Sequence, residues 1–235
     1  MCIHIVSLSH PMAESPPDLC SIPSPNLVLA PRQQRGRDRQ EALLQAGLHL
    51  TRTRHWDEVK VGDIAKEIGC STGTFYTRFH DKAEYFEVLI GLVAEVMQHR
   101  ADVFFAAPER MHETPREFVA QWLDLVLRSF SLHRGLYAAA VIDLRRQPRA
   151  VSAQSPLIGF RNQSRTQFIS AMARWGLWNS EAGRQQLEFA HQLVQGVLIN
   201  AALTDPGPLH LDDAKLHEQL AAVMCAYLGL CNVAE

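Results

Sequence analysis

The feature that most limits what this chain can become is VGDIAKEIGCSTGTFYTRFHDK, residues 61–82. Its pattern predicts two short helices joined by a tight turn at Gly69. The first covers 61–68; the second opens at Ser71 or Thr72 and ends at Phe79. Val61, Ile64, Ala65 and Ile68 share one helical face, and Phe75 and Phe79, spaced i and i+4, turn inward to meet it. That leaves Thr72, Thr74, Tyr76, Thr77 and Arg78 outward, with Ser71 at the N-cap and Gly73 allowing close backbone approach. An outward face of hydroxyls, a phenol and a guanidinium, without an acid, suits phosphates and base edges. Two helices this short and this sharply bent are a helix-turn-helix, whose second helix can lie in a DNA major groove.

Upstream, Arg32, Arg35, Arg37 and Arg39 place four arginines in eight residues, an arm for phosphates or the minor groove in which Arg35 and Arg37 are candidate contacts. Residues 31–82 carry 10 Lys+Arg against 7 Asp+Glu, and residues 83–235 carry 13 against 16, so a modestly basic part precedes a mildly acidic body. Residues 1–31, with six prolines and no period, read as a flexible extension. The five cysteines are scattered without CxxC spacing, which favours a reducing compartment over a disulfide framework or zinc site. The eleven histidines show no HExxH or HxxxH spacing, and no nucleophile elbow or phosphate loop is present. The expectations are therefore no enzyme, no metal, no cofactor, no membrane span and a cytoplasmic location.

Leu43-Leu44-x-Ala46, Asp63-Ile64-Ala65, Gly69-x-Ser71-x-Gly73-Thr74-Phe75-Tyr76-x-x-Phe79 and Lys82 form one ordered set. Over residues 37–86 it resembles the DNA-binding domain of the TetR family of regulators. The resemblance implies that Tyr76 and Lys82 anchor phosphates, and that Thr72, Gly73, Thr74 and Thr77 face the major groove. Three positions depart from the family pattern: Gly47 replaces a usual alanine, Thr51 a common aromatic, and Lys60 the Ser or Thr that caps helix 2.

The resemblance also implies an all-α fold of about nine helices, and the remaining sequence agrees. Asp81 caps a helix over 82–105; Thr114 and Pro115 start another that stops at Gly135; further helices are predicted over 136–146, 156–175, 180–203 and 211–230. No strand-like alternation occurs. The expected organisation is an extension (1–31), a three-helix DNA-binding domain (32–82) and a larger ligand-binding and dimerisation domain (83–235).

The last two helices are apolar on more than one side, which demands burial by something beyond their own domain. A second copy is the expected partner, through Ala190, Val194, Val197, Ala201, Leu216, Leu220, Val223 and Tyr227 in a four-helix bundle; the alternative is an internal hairpin. Aromatic residues concentrate in the body, and Trp122, Phe130, Tyr137, Phe168 and Trp175, with His133 and His191 as polar groups, are candidates to line a small-molecule cavity. The whole reads as a homodimeric repressor that binds a palindromic double-stranded DNA operator and is released by a small-molecule effector. The alternative is the same fold used as a protein-binding adaptor or an activator without effector control.

Overall fold

Pro31 opens the first helix. The structure, a computed structural model, describes residues 31–230, so the expected N-terminal extension lies outside the described residues apart from Pro31, as do the last five positions. Helix α1 covers Pro31–Leu50. The arginine-rich segment expected as an arm is therefore the beginning of α1, because proline suits a first helical position and Arg and Gln favour helix. α1 stops at Leu50. Thr51 is buried and turns its hydroxyl back onto the carbonyls of Gly47 (2.9 Å) and Leu48 (3.2 Å).

A 3-10 turn at Trp56–Glu58 leads into α2, Val61–Glu67, and α3, Thr72–Tyr76. At the corner Gly69 has φ +64, a left-handed conformation that favours glycine. α3 is shorter than predicted, yet Thr77 N–H still donates to Gly73 O (3.1 Å) and Phe79 N–H to Phe75 O (3.0 Å), so the winding carries on to Phe79. The missing cap at Lys60 is answered from inside α2: the Asp63 carboxylate accepts the Lys60 N–H at 3.0 Å and pairs with Arg54 at 3.0 Å. Lysine has no acceptor to return, so only half of a capping box forms.

α4 covers Lys82–Ala106, about 38 Å of helix. Asp81 caps it by accepting Glu84 N–H at 2.8 Å. A second 3-10 turn, Pro108–His112, precedes α5, Pro115–Leu132, which Thr114 and Glu117 close with a reciprocal capping box (3.3 and 2.8 Å). Then follow α6, Arg134–Arg146; α7, Arg149–Ser152; α8, Pro156–Ala173; α9, Glu181–Leu203; and α10, Ala214–Tyr227. Among the described residues the fold is all-helical, as expected, with ten α-helices. The addition to the expected count is α7, a single turn between Pro148 and Pro156 too short to show a period.

α4 packs along α8, α5 against α10, and α8 and α6 against α9. One continuous core runs from Leu43 to Leu230 and does not break at residue 82. Tyr85, fully buried, sits in α4 yet packs on Phe79 (4.8 Å between rings) and Phe75 (5.1 Å), and its hydroxyl donates to Leu43 O at 2.6 Å. The first turns of α4 therefore finish the core of the N-terminal unit while the rest of the same helix is built into the body.

Candidate nucleic-acid interface

Phe75 and Phe79 are buried against Tyr85, and this anchorage fixes which side of α3 faces out. Ser71, Thr72, Gly73, Tyr76, Thr77 and Arg78 are exposed, and Thr74 is half-buried. Tyr76 leans edge-on against Phe75 (5.4 Å) with 56% of its surface free, so the side chain is braced on one side and open on the other. Ser71 occupies the N-cap position, but its hydroxyl meets the Thr74 hydroxyl at 3.3 Å and does not cap a backbone N–H. Thr77 donates its hydroxyl to Thr74 O at 2.7 Å, which leaves the oxygen able to accept.

Two basic groups frame this face. Arg78 reaches back over Gly36 of α1: a Cβ there would lie 3.0 Å from its guanidinium. The start of α1, with Arg35 and Arg37 exposed, is thereby held beside the end of α3. Lys82, half-buried, donates to Trp56 O at 2.9 Å, and its ammonium stands 4.4 Å above the Trp56 ring. Burial lowers its pKa below the ordinary lysine value, opposed by the charges of Asp57 and Asp63. Its ammonium keeps two of three N–H donors free. The face from Ser71 to Lys82 thus collects hydroxyls, a phenol and two cations, and its acid, Asp81, is occupied in capping α4.

Trp56, which no sequence motif singles out, is the platform for Lys82. Sequence reasoning also missed the joint to the body. Gly135, at the start of α6, lies so close to the segment after α1 that a Cβ would fall 2.6 Å from Thr51 O and 2.4 Å from Arg54 O. A glycine following a helix stop was the available signal, but nothing local tells what it will touch.

The other candidate residues are placed differently from expectation. Trp122, Phe130, His133, Tyr137, Phe168 and His191 are buried, and Trp175 is half-buried. They pack on one another: Trp122 on Phe168 (4.3 Å), Phe130 on Tyr137 (4.5 Å), and His191 against both Trp122 (5.7 Å) and Phe168 (5.9 Å). Voids of only about 20 and 50 Å³ adjoin them, far below the ~300 Å³ a small-molecule site needs. These aromatics form packed core in this conformation. Burial, helped by the charges of neighbouring arginines, pushes the pKa of His133 and of His191 down to about 4.

Of the residues expected between two copies, Ala190, Val194, Ala201, Leu216 and Leu220 are buried in their own subunit, so they are not free to meet a partner. Val197, Val223 and Tyr227 remain exposed and are joined by Phe189, whose ring meets Tyr227 at 5.5 Å. α9 and α10 are apolar on more than one side, and periodicity does not say which side the domain takes. Among the described residues no helix is long and apolar enough to cross a membrane, and no group of three His, Cys, Asp or Glu could hold a metal ion.

Residues 43–89 match the family model of bacterial regulatory proteins, tetR family. Over 113 residues the chain is 29% identical to the HTH-type transcriptional regulator EthR of Mycolicibacterium smegmatis, covering 48% of this chain and 51% of that protein; it thus spans about half the length of the curated relative it matches. The fold superposes on a tetR-family transcriptional regulator from Streptomyces coelicolor with TM-score 0.60 at 19% identity, covering 83% of this chain and 82% of that one. It also superposes on the transcriptional regulator FadR from Bacillus subtilis, solved in complex with stearoyl-CoA, with TM-score 0.53 at 16% identity, covering 83% and 100%. The matched stretch ends at Leu89 and so takes in Tyr85, whose hydroxyl ties α4 to α1. The N-terminal unit, residues 43–89, thus matches the tetR-family model, and the body behind it shares the fold of solved TetR-family transcriptional regulators.

Proposed function

We propose that this chain is an effector-responsive repressor that binds a roughly palindromic operator as a homodimer. The observation that carries the reading is the outward face of α3, free of unpaired acids and flanked by Arg78 and by a Lys82 already held in place. Thr72, Gly73, Thr74 and Thr77 would meet base edges; Tyr76, Lys82, Arg35 and Arg37 would meet phosphates. Two such faces must stand about 34 Å apart, or a multiple of that, to enter successive major grooves, which is the task of a dimer. The exposed apolar side chains of α9 and α10 are the surface for it. Residues 32–82, completed by the first turns of α4, would form the DNA-reading unit, and the rest the unit that dimerises and takes an effector.

A small-molecule effector is supported by the architecture and by the stearoyl-CoA named with FadR. α4 carries Lys82 and Tyr85 at one end and runs through the body at the other, so an effector that shifts α4 moves the reading face. It must bind the DNA-free arrangement better than the DNA-bound one. A 10- to 100-fold loss of operator affinity needs about 1.4–2.7 kcal/mol of coupling, within the usual range.

The test is operator binding by fluorescence anisotropy, using the DNA upstream of the chain's own gene. Tyr76→Ala, which removes an uncharged phosphate contact, is expected to weaken binding to every duplex about tenfold or more and to leave the salt dependence unchanged. Thr77→Ala is expected to change sequence preference and leave non-specific binding alone. Wild-type affinity and preference in both variants would show that α3 is not the reading element.

A further inference from the structure

A cleft of about 860 Å³ opens between α4, α5 and the residues leading into α10. It is separate from the aromatic core: none of Trp122, Phe130, Tyr137, Phe168 and Trp175 lines it. Its size falls within the ~300–1,000 Å³ typical of small-molecule sites. Val103, Phe104, Leu125, Leu132 and Leu211 give it apolar walls, and Val103 keeps 58% of its surface uncovered.

The charges in the cleft are unevenly satisfied. Asp124 is paired with Arg128 at 2.8 Å, Asp212 accepts the Ser131 hydroxyl, and Asp213 accepts the His210 N–H at 2.7 Å. Arg100 lines the same cleft, is half-buried, and has no acidic partner among the described residues. A guanidinium withdrawn from water without a counter-ion is unfavourable. Arg52, just past the end of α1, adds its like charge and lowers the pKa of Arg100 further, after burial itself. Both arginines also act on His133, next in sequence to the cleft residue Leu132; it is 1% exposed and its Nε2 has no hydrogen-bond partner. On the inner side of the cleft the donors of Arg100 are thus unused, whereas Asp124, Asp212 and Asp213 are each engaged by a neighbour.

We propose that this cleft binds an amphipathic organic anion, its carboxylate held by the Arg100 guanidinium and its apolar part laid along Val103, Phe104 and Leu125. A carboxylate matches the planar fork of an arginine and makes a charge-assisted pair that strengthens as water is excluded. The location gives such a ligand leverage. Arg52 belongs to the N-terminal unit and Arg100 to the part of α4 inside the body, so an anion at Arg100 relieves a repulsion across their joint. This deepens the effector reading above and rests on it for its regulatory consequence.

The test uses the full chain and two probes, decanoate and its uncharged methyl ester, titrated by calorimetry. The wild type is expected to bind decanoate at least tenfold more tightly than the ester. Arg100→Gln is expected to lower decanoate affinity to the level of the ester and leave the ester unchanged, Arg100→Lys to fall between, and Leu125→Asp to weaken both probes. Circular dichroism melting of each variant separates lost binding from lost fold. Equal affinity of the wild type for acid and ester, absence of decanoate binding, or wild-type decanoate affinity in folded Arg100→Gln would each overturn the proposal. Decanoate that binds through Arg100 yet leaves operator affinity unchanged would uphold the site and remove the effector reading instead.

Discussion

At Gly47 the space of one methyl group is taken by a neighbouring ring. A Cβ there would stand 2.1 Å from the Tyr85 hydroxyl, 2.9 Å from its Cζ and 3.0 Å from Leu89 Cδ1. The family's usual alanine is absent because this chain spends that volume on a tyrosine that ties α4 to Leu43 O. Gly47→Ala would gain about 1 kcal/mol of helix propensity but force an overpacked contact worth about 1–3 kcal/mol and displace a buried hydroxyl from its acceptor. We expect a net loss of about 2 kcal/mol in urea unfolding, and the Gly47→Ala/Tyr85→Phe pair to cost less than the sum of the two single changes. His133 and His191 set a pH dependence. Each is held neutral with its pKa near 4, below the ordinary value of an unfolded histidine, so between about pH 6.5 and pH 4 the unfolded chain binds more protons. Stability is therefore full above pH 6.5 and falls as pH drops through that window. Melting temperature should decline over the same range, and His191→Phe, which fits between Trp122 and Phe168, should flatten the decline. The sequence made these histidines visible as residues in an aromatic region. It could not show that they would be sealed in, since a buried and a cavity-lining histidine follow the same pattern.

At the scale of elements, α6 meets the N-terminal unit without a spacer. Gly135 lets its first turn rest against the carbonyls of Thr51 and Arg54, where any side chain would meet backbone that cannot step aside. Gly135→Ala is expected to push α6 off this seat, keep the far-ultraviolet circular dichroism of the wild type, and lower operator affinity about tenfold, corresponding to about 1.4 kcal/mol. Wild-type affinity in the folded variant would show that this seat does not set the angle of the reading unit. Helix positions were well signalled by caps and stops: Asp81, Thr114 with Pro115, and Ser180 each begin a helix where the sequence places one. The errors fall where capping gives no signal. The arginine-rich start of α1 carries no period yet is helical, and α7 is a single turn between prolines. The joint at Gly135 depends on residues more than eighty positions apart, and no local pattern reports such a contact.

For the whole molecule, the surface left by folding says more about assembly than the apolar stripes did. Phe189, Val223 and Tyr227 keep 50%, 46% and 40% of their surfaces uncovered on the last two helices, where a soluble monomer would ordinarily place polar groups. We expect the Val223→Asp/Tyr227→Asp variant to sediment as a monomer at a concentration where the wild type is a dimer. Its operator affinity should fall at least about tenfold, since a half-site contact replaces a paired one. Identical sedimentation of the two proteins would show that these side chains do not join two copies. The helix-turn-helix was legible from the sequence because its inward and outward residues alternate over a short helix with one side to bury. The interior of the body was not, because aromatics that fill a core and aromatics that line a chamber share one composition. Lys82 shows how far the reading unit is prepared in advance. A free lysine gives up about 1.5–2 kcal/mol of rotational freedom when a contact fixes it. Here Trp56, through its carbonyl and its ring, already confines the ammonium and has stripped part of its water. Most of that disorder is lost when the chain folds, so a phosphate arriving at Lys82 would meet a stationary charge, and the entropy of the encounter would be borne chiefly by the DNA and its counter-ions.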